Sequence, residues 1–458
     1  MSKEKMELEK NRLGFPSLFA VSIGIVVAST TLVSLGQGMG IGGYAFIVSM
    51  VIAFILMMFQ AFTFSELAIM LPKAGSISAY TEVAMGHFPA IISTIAGYII
   101  VQLLAAPAEL SVAAIVVDKV FFPDIDISPL YSASMMLCLF MTFNLLGVDV
   151  FANFQMIFTG VMIFTIAFIG IGGLVGPGVA GLSNVTPAMG FGDIFALAAL
   201  GIWLFIGTEF ICPLAEEAKH PQRDIPLAMI FGLIVILLLK ILYGVASFRY
   251  MPLDKLAASP IPHVEVAKAI FGKAGMVWVG LASFCATAST VNTLLAAVPR
   301  MLYGMAHMGQ VPKVFAWIHP KFKTPWVGII LLACGMFVQI LTGISTTETI
   351  VVFIVASAFS WLLAYIIAHL DLIILRFRYK DLPRPWKTPG YPVPQVLGIL
   401  GTIYIMLNIF PDPVVKARIY KYALCFIAGA AVYALLWCWL KMKKGLFKPV
   451  PLEKALEE

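Results

Sequence analysis

Long apolar runs recur along this chain so often that only a lipid bilayer can accommodate them. A membrane-crossing helix needs about 18 to 20 mostly apolar residues. Twelve runs of roughly that length or longer occur, at about 15–41, 44–71, 89–116, 131–147, 153–175, 192–214, 226–248, 275–305, 326–343, 349–375, 394–411 and 419–441. With 61% hydrophobic and 12% charged residues, the chain has too little polar surface to cover a soluble core of its size. Backbone groups in lipid must pair internally, and these runs lack the alternation of barrel strands. The expected fold class is therefore all-α: a polytopic membrane protein of twelve transmembrane helices.

The first run is too long for a signal-peptide core and has no evident cleavage site, so it is expected to remain in the mature protein. Lysine and arginine set the orientation. With an even number of spans both termini share a side, and that side collects 21 of the 30 basic residues against 8 opposite, with Lys240 the one that lies well inside a run rather than near its end. Both termini are thus expected in the cytoplasm of a multi-pass cell-membrane protein. The net charge of +6 reflects this bias and contact with anionic lipid, and calls for no nucleic-acid partner. The six cysteines lie in or at the ends of apolar runs without metal-ligand spacing and read as small buried hydrophobes. The histidines are scattered, and no nucleophile elbow, phosphate loop or zinc pattern occurs. No enzyme, metal site or cofactor is expected.

Two spans carry a break signal. In the sixth, Gly201 to Glu209 places a glycine and a carboxyl inside an otherwise apolar run. Gly207 lowers helix propensity, and an ionisable group at membrane depth usually faces a partner or a water-filled path. In the first, Ala28, Ser29, Thr30 and Thr31 form a tract whose hydroxyls can cap freed backbone groups. The breaks open the first helix of each of two five-helix blocks, which is the placement an inverted repeat requires. Each signal also fits an intact helix with a small-residue packing stripe.

The motifs around these breaks resemble those of the amino acid–polyamine–organocation (APC) superfamily of permeases. Phe205, Gly207 and Glu209 match its F-x-G-x-E pattern, and Ala215 to Pro226 matches its A-E-E-x-x-x-P-x-R-D-I-P inner loop. Glu66 to Gly75, Arg300 to Ala306 with Pro312 to Pro325, and Arg384 to Pro394 match three further motifs in chain order. The resemblance spans most of the chain. It implies a LeuT-like 5+5 inverted repeat plus two extra helices, with residues 1–14 as a cytoplasmic segment, 15–411 as the transport core with helix 11, and 412–458 as helix 12 and a cytoplasmic tail. It implies secondary active transport of amino acids, proton-coupled or exchanging.

The resemblance also implies a solute site. Free N–H groups at Ser29, Thr30 and Thr31 would face the solute's anionic end, and carbonyls near Val27 and Phe205 its ammonium. Ala28, Ile206, Gly207 and Thr208 complete the expected wall. Trp203 lies on the face of Gly207, where it is a candidate lid and equally an ordinary packing residue. Glu209 and Lys240 are the proton-coupling candidates; for Lys240 the competing reading is snorkelling, or pairing with a carboxyl such as Glu109. Ser289 and Thr290, beside Thr287, are candidate sodium ligands.

The chain departs from the family pattern in two places. A glycine-rich turn is replaced by Ala28-Ser29-Thr30-Thr31, which narrows the pocket and keeps a carboxylate-free amine, an ethanolamine- or polyamine-like solute, as an alternative to an amino acid. A lysine that replaces sodium in some proton-coupled relatives is matched here by Met162. A solute sensor that has lost transport is the further alternative.

Overall fold

The computed structural model describes residues 8–457 apart from 123, 126–127, 181, 183, 343–346, 383 and 411. Residues 1–7 of the expected N-terminal segment therefore lie outside the described residues. The regular elements among the described residues are helices, beside one isolated bridge between Leu13 and Ala218. The chain runs through α1 (Phe15–Gly24), α2 (Ser29–Gly42), α3 (Ala45–Met70), α4 (Ile77–Ala84), α5 (His87–Phe121), α6 (Pro129–Leu145), α7 (Val148–Val175) and α8 (Phe191–Trp203). A 3₁₀ helix, Thr208–Glu217, follows. Then come α9 (Pro221–Tyr250), α10 (Leu253–Ala258), α11 (Pro262–His307), α12 (Trp326–Leu341), α13 (Thr347–Arg378), α14 (Val393–Leu407), α15 (Pro413–Met442) and α16 (Leu452–Glu457).

Among the described residues, eight helical stretches are long and apolar enough to cross a membrane, or nine with α1 and α2 taken as one bent span. Three shorter apolar helices, α6, α12 and α14, accompany them. The protein is thus an all-α, multi-pass membrane protein. Its exposed residues include many large hydrophobics, such as Phe164, Phe168, Leu238 and Leu400, as a lipid-facing surface requires.

The broken pair sits at the centre. Helix α1 packs on α7, α9 and the 3₁₀ helix, while α2 packs on α8, α10 and α11. Residues 264–271 lie in the first part of α11, which turns at Gly272 (φ +63°). Helix α10 precedes it and packs against α2.

The four sequence motifs interlock at one end of the bundle. Glu217, from the A-E-E loop, receives the guanidinium of Arg300 on both carboxylate oxygens. Glu216 accepts the backbone N–H of Ala74 at 2.8 Å, which ties the same loop to the Pro72-Lys73-Ala74-Gly75 turn. Glu66 accepts two bonds from Arg376 and the backbone N–H of Thr388, and so anchors the segment before α14. The chain preceding α1 docks on this assembly, with Arg12 N–H and Leu13 N–H both donating to the Glu217 carbonyl. Charged groups are costly in lipid unless paired, and here each is paired to a different segment, so the motifs serve as tertiary clamps.

Candidate functional site

Helix α1 stops at Gly24 and α2 begins at Ser29, with the axis bent by 52° across the break. Ala28 occupies the N-cap position in extended conformation (φ −62°, ψ 153°) and has no side-chain oxygen to cap with. A carboxylate from another helix supplies the cap. Glu109 of α5 accepts the Ser29 N–H at 2.6 Å on one oxygen and the Thr30 N–H at 3.1 Å on the other. The Thr287 hydroxyl of α11 donates to the same carboxylate at 2.9 Å. This satisfies two of the unpaired donors of α2 and sets negative charge at the positive end of its dipole. Thr31 N–H bonds instead to the Ala28 carbonyl, and its hydroxyl reaches Ala28 and Val26 carbonyls.

The second break lies between α8 and the 3₁₀ helix, over residues 204–207. Gly207 has φ +116°, a conformation that side-chain-bearing residues rarely adopt, and a Cβ there would lie 3.0 Å from Ile25 and 3.1 Å from Trp361. Its N–H donates to the Tyr365 hydroxyl, which in turn donates to Glu209 at 2.8 Å. Trp361 Nε1 and the Tyr98 hydroxyl also donate to Glu209, at 2.8 and 3.3 Å. The carboxyl is 1% exposed and sits inside a ring cluster with Tyr98, Phe210, Trp361 and Tyr365. Gly207→Ala is expected to combine backbone strain with a tight contact and to lower uptake at least about tenfold, measured as initial rate in proteoliposomes.

Lys240 of α9 joins the two breaks. Its ammonium donates to the Val26 carbonyl at 3.1 Å and the Leu204 carbonyl at 2.6 Å, and lies 5.7 Å from the Phe205 ring centre. At 1% exposed it does not snorkel, and its partners are carbonyls rather than Glu109. That corrects the sequence expectation, for a physical reason. Carbonyls freed by two adjacent breaks concentrate partial negative charge deep in the bundle, and they hold the cation there.

A cavity of about 30 Å³ lies between the breaks. Ala28, Thr30, Thr31, Trp203, Ile206 and Thr290 line it, as do Ile25, Val101, Ala105, Glu109, Leu294 and Trp361. Trp203 Nε1 donates to the Thr30 hydroxyl at 3.2 Å, which holds the ring over one side. Of the expected wall, Val27, Ser29, Phe205, Gly207 and Thr208 are buried next to the breaks but do not line the cavity. Glu209 and Lys240 likewise stand behind it.

Sequence reasoning did not place Glu109, Val101, Ala105 or Trp361 in this wall. The signal for Glu109 was present, since it is a carboxyl inside an apolar run, but its partner was sought in Lys240.

The expected sodium ligands are engaged by the protein itself. Ser289 receives the Gln155 amide Nε2 at 2.7 Å and lies 3.2 Å from the Thr159 hydroxyl. Gln155 is held in turn by Asn292 Nδ2, which donates to its side-chain oxygen at 3.1 Å. Thr290 makes long bonds to the Gly24 and Ile25 carbonyls, at 3.4 and 3.5 Å. An amide donor thus points at the oxygens where a cation would need acceptors. Gly24 makes this possible, because a Cβ there would lie 2.1 Å from Gln155 Nε2.

The model of the amino acid permease family matches residues 13–433. The chain belongs to the amino acid permease family. The permease is 25% identical over 452 residues to a branched-chain amino acid permease of Bacillus subtilis (strain 168), covering 93% of each chain. It is 26% identical to a glutamate/serine transporter of the same organism, over 87% of this chain and 77% of the relative. It is 24% identical to a methylthioribose transporter, also of Bacillus subtilis (strain 168), over 86% of this chain and 87% of the relative. Family and relatives together make the permease a secondary-active transporter of the amino-acid class and not an enzyme.

Proposed function

We propose that the permease carries a small amino acid through the bilayer by alternating access around the cavity between its two breaks. The observation that carries this reading is the meeting of both interrupted helices at one buried cavity, lined by Thr30, Thr31, Trp203, Ile206 and Glu109. Broken helices at mid-membrane are how secondary transporters offer backbone charge to a solute. At about 30 Å³ the cavity holds a water or two and no amino acid, so the walls must part to load it. The three shorter apolar helices added to the nine long spans give twelve. We read them as a 5+5 inverted repeat plus two, with both termini cytoplasmic. The breaks at the first helix of each block support that arrangement, and the basic-residue bias supports the orientation.

Transport is independent of sodium in this reading. The Gln155 amide fills the oxygen cluster at Ser289, and the Lys240 ammonium already bridges the freed carbonyls. A proton gradient and a counter-moving solute remain as drivers. Uptake of a labelled mixture of L-amino acids into proteoliposomes tests both levels. Replacing sodium by choline is expected to change the rate less than about twofold, since no cation ligand is lost. A rate that collapses in choline overturns the sodium claim, and no uptake under any gradient overturns transport.

One observation favours a second solute. Glu109 already holds the Ser29 and Thr30 amides, so an amine without a carboxylate would leave it in place. Competition by decarboxylated amines that exceeds competition by their parent amino acids would select that reading.

A further inference from the structure

We propose that Glu109 and Lys240 form a tethered stand-in for the solute, one that lets the unloaded carrier close and reset. This rests on the transport reading above and names the residues that govern one of its steps. The Ser29 and Thr30 amides receive the Glu109 carboxylate, and the Val26 and Leu204 carbonyls receive the Lys240 ammonium. These are the two kinds of backbone pole that a zwitterion would satisfy. The cavity between the breaks is about 30 Å³, with Glu109 and Thr30 in its wall.

The physical need is specific. A carrier that closes with no side chain on its freed amides and carbonyls buries them with at most a water or two as partners, which is costly away from bulk solvent. Side chains that reach those groups remove that cost. Glu109 comes from α5, with Thr287 of α11 bracing it, and Lys240 comes from α9. Of these groups Thr30 and Glu109 line the cavity while Val26, Leu204 and Lys240 stand behind its wall, so the walls must part before solute takes them over. The Glu109 carboxylate lines the cavity wall and can withdraw from α2 without leaving it. Loading therefore exchanges one set of partners for another, and the unloaded return uses the first set.

Net uptake and exchange separate this role from plain structural support. Net uptake includes the unloaded return, whereas exchange always carries solute. Purified protein is placed in proteoliposomes with a labelled L-amino acid mixture outside, and either buffer or the same unlabelled mixture inside. Lys240→Met removes the ammonium at similar length. Glu109→Gln turns one acceptor into a donor that faces a backbone N–H. Each is expected to lower the ratio of net uptake to exchange by about tenfold, the scale of one buried charged hydrogen bond. Thr287→Val, which unbraces Glu109 and removes a 3.2 Å contact with the Ser29 hydroxyl, is expected to lower it about threefold, as a neutral hydrogen bond would. Arg300→Lys, a lesion far from the poles in role, is expected to lower both rates alike.

An unchanged ratio in Glu109→Gln and Lys240→Met overturns the proposal. Should either fail to reconstitute, Thr287→Val decides by the same measure. Wild-type protein inactive in both modes would instead overturn the transport reading.

Discussion

Arg300→Met is expected to cause the largest loss of stability of any single substitution in this protein, read as the thermal midpoint of the purified protein in detergent. The guanidinium is 2% exposed and the Glu217 carboxylate fully buried. Its Nε and Nη2 engage both Glu217 oxygens, and Nη1 donates to the Ala296 carbonyl at 2.7 Å. Removing one member strands the other charge, which typically costs about 3–5 kcal/mol. The loss spreads beyond the pair, because the Glu217 backbone carbonyl also receives the Arg12 and Leu13 amides. The double variant Arg300→Met with Glu217→Leu is expected to recover more than half of the lost midpoint, since no unpaired charge remains. A single variant that melts like the wild type would show that the pair does not hold α11 to the A-E-E loop.

Glu209→Ala is expected to have the largest effect on transport. Three donors, Tyr98, Trp361 and Tyr365, converge on this carboxyl. Alanine leaves all three buried without an acceptor, at about 1–3 kcal/mol for each unsatisfied group. Tyr365 also receives the Gly207 N–H, so the lesion reaches the second break directly. The expected result is at least about a hundredfold loss of initial uptake rate, because that much stabilisation of the break corresponds to two decades or more in an equilibrium. Glu209→Gln keeps one acceptor oxygen and is expected to retain part of the rate. Its pH profile tests the proton-carrier role read from the sequence: uptake that stays pH-dependent assigns Glu209 to holding the break instead. Normal uptake by Glu209→Ala would remove the residue from the mechanism altogether.

The break at Gly207 was legible because it is local. A glycine in an apolar run announces a backbone that leaves the helix, and the positive φ is what only glycine accepts without strain. The first break was legible only in part: the small and hydroxylated tract Ala28 to Thr31 marks its end, but the unwound residues are 25–28 and Ser29 to Thr31 form the first turn of α2. Helical spacing put Trp203 on the face of Gly207, but that its indole N–H meets Thr30 at the first break is a tertiary contact that spacing does not give. Lys240 was recognised as out of place, but its partners were not. The carbonyls it binds belong to Val26, 214 residues away, and Leu204, 36 residues away. Gln155 gave no signal, since a glutamine in a membrane helix is ordinary until Ser289 is found against it.

The amino-acid sequence by itself determined the bilayer as solvent, the helical class, the two interruptions and the family motifs, because apolar length, backbone freedom and residue spacing act within one segment. Only the tertiary structure decided which charges answer those interruptions, namely Glu109 at the freed amides and Lys240 at the freed carbonyls. It also decided that Glu66, Glu217 and Arg300 clamp distant segments together. The reason is geometric. A charge inside a helix advertises its need for a partner, but the rotation and depth of every neighbouring helix select the partner, and packing of the whole bundle fixes those.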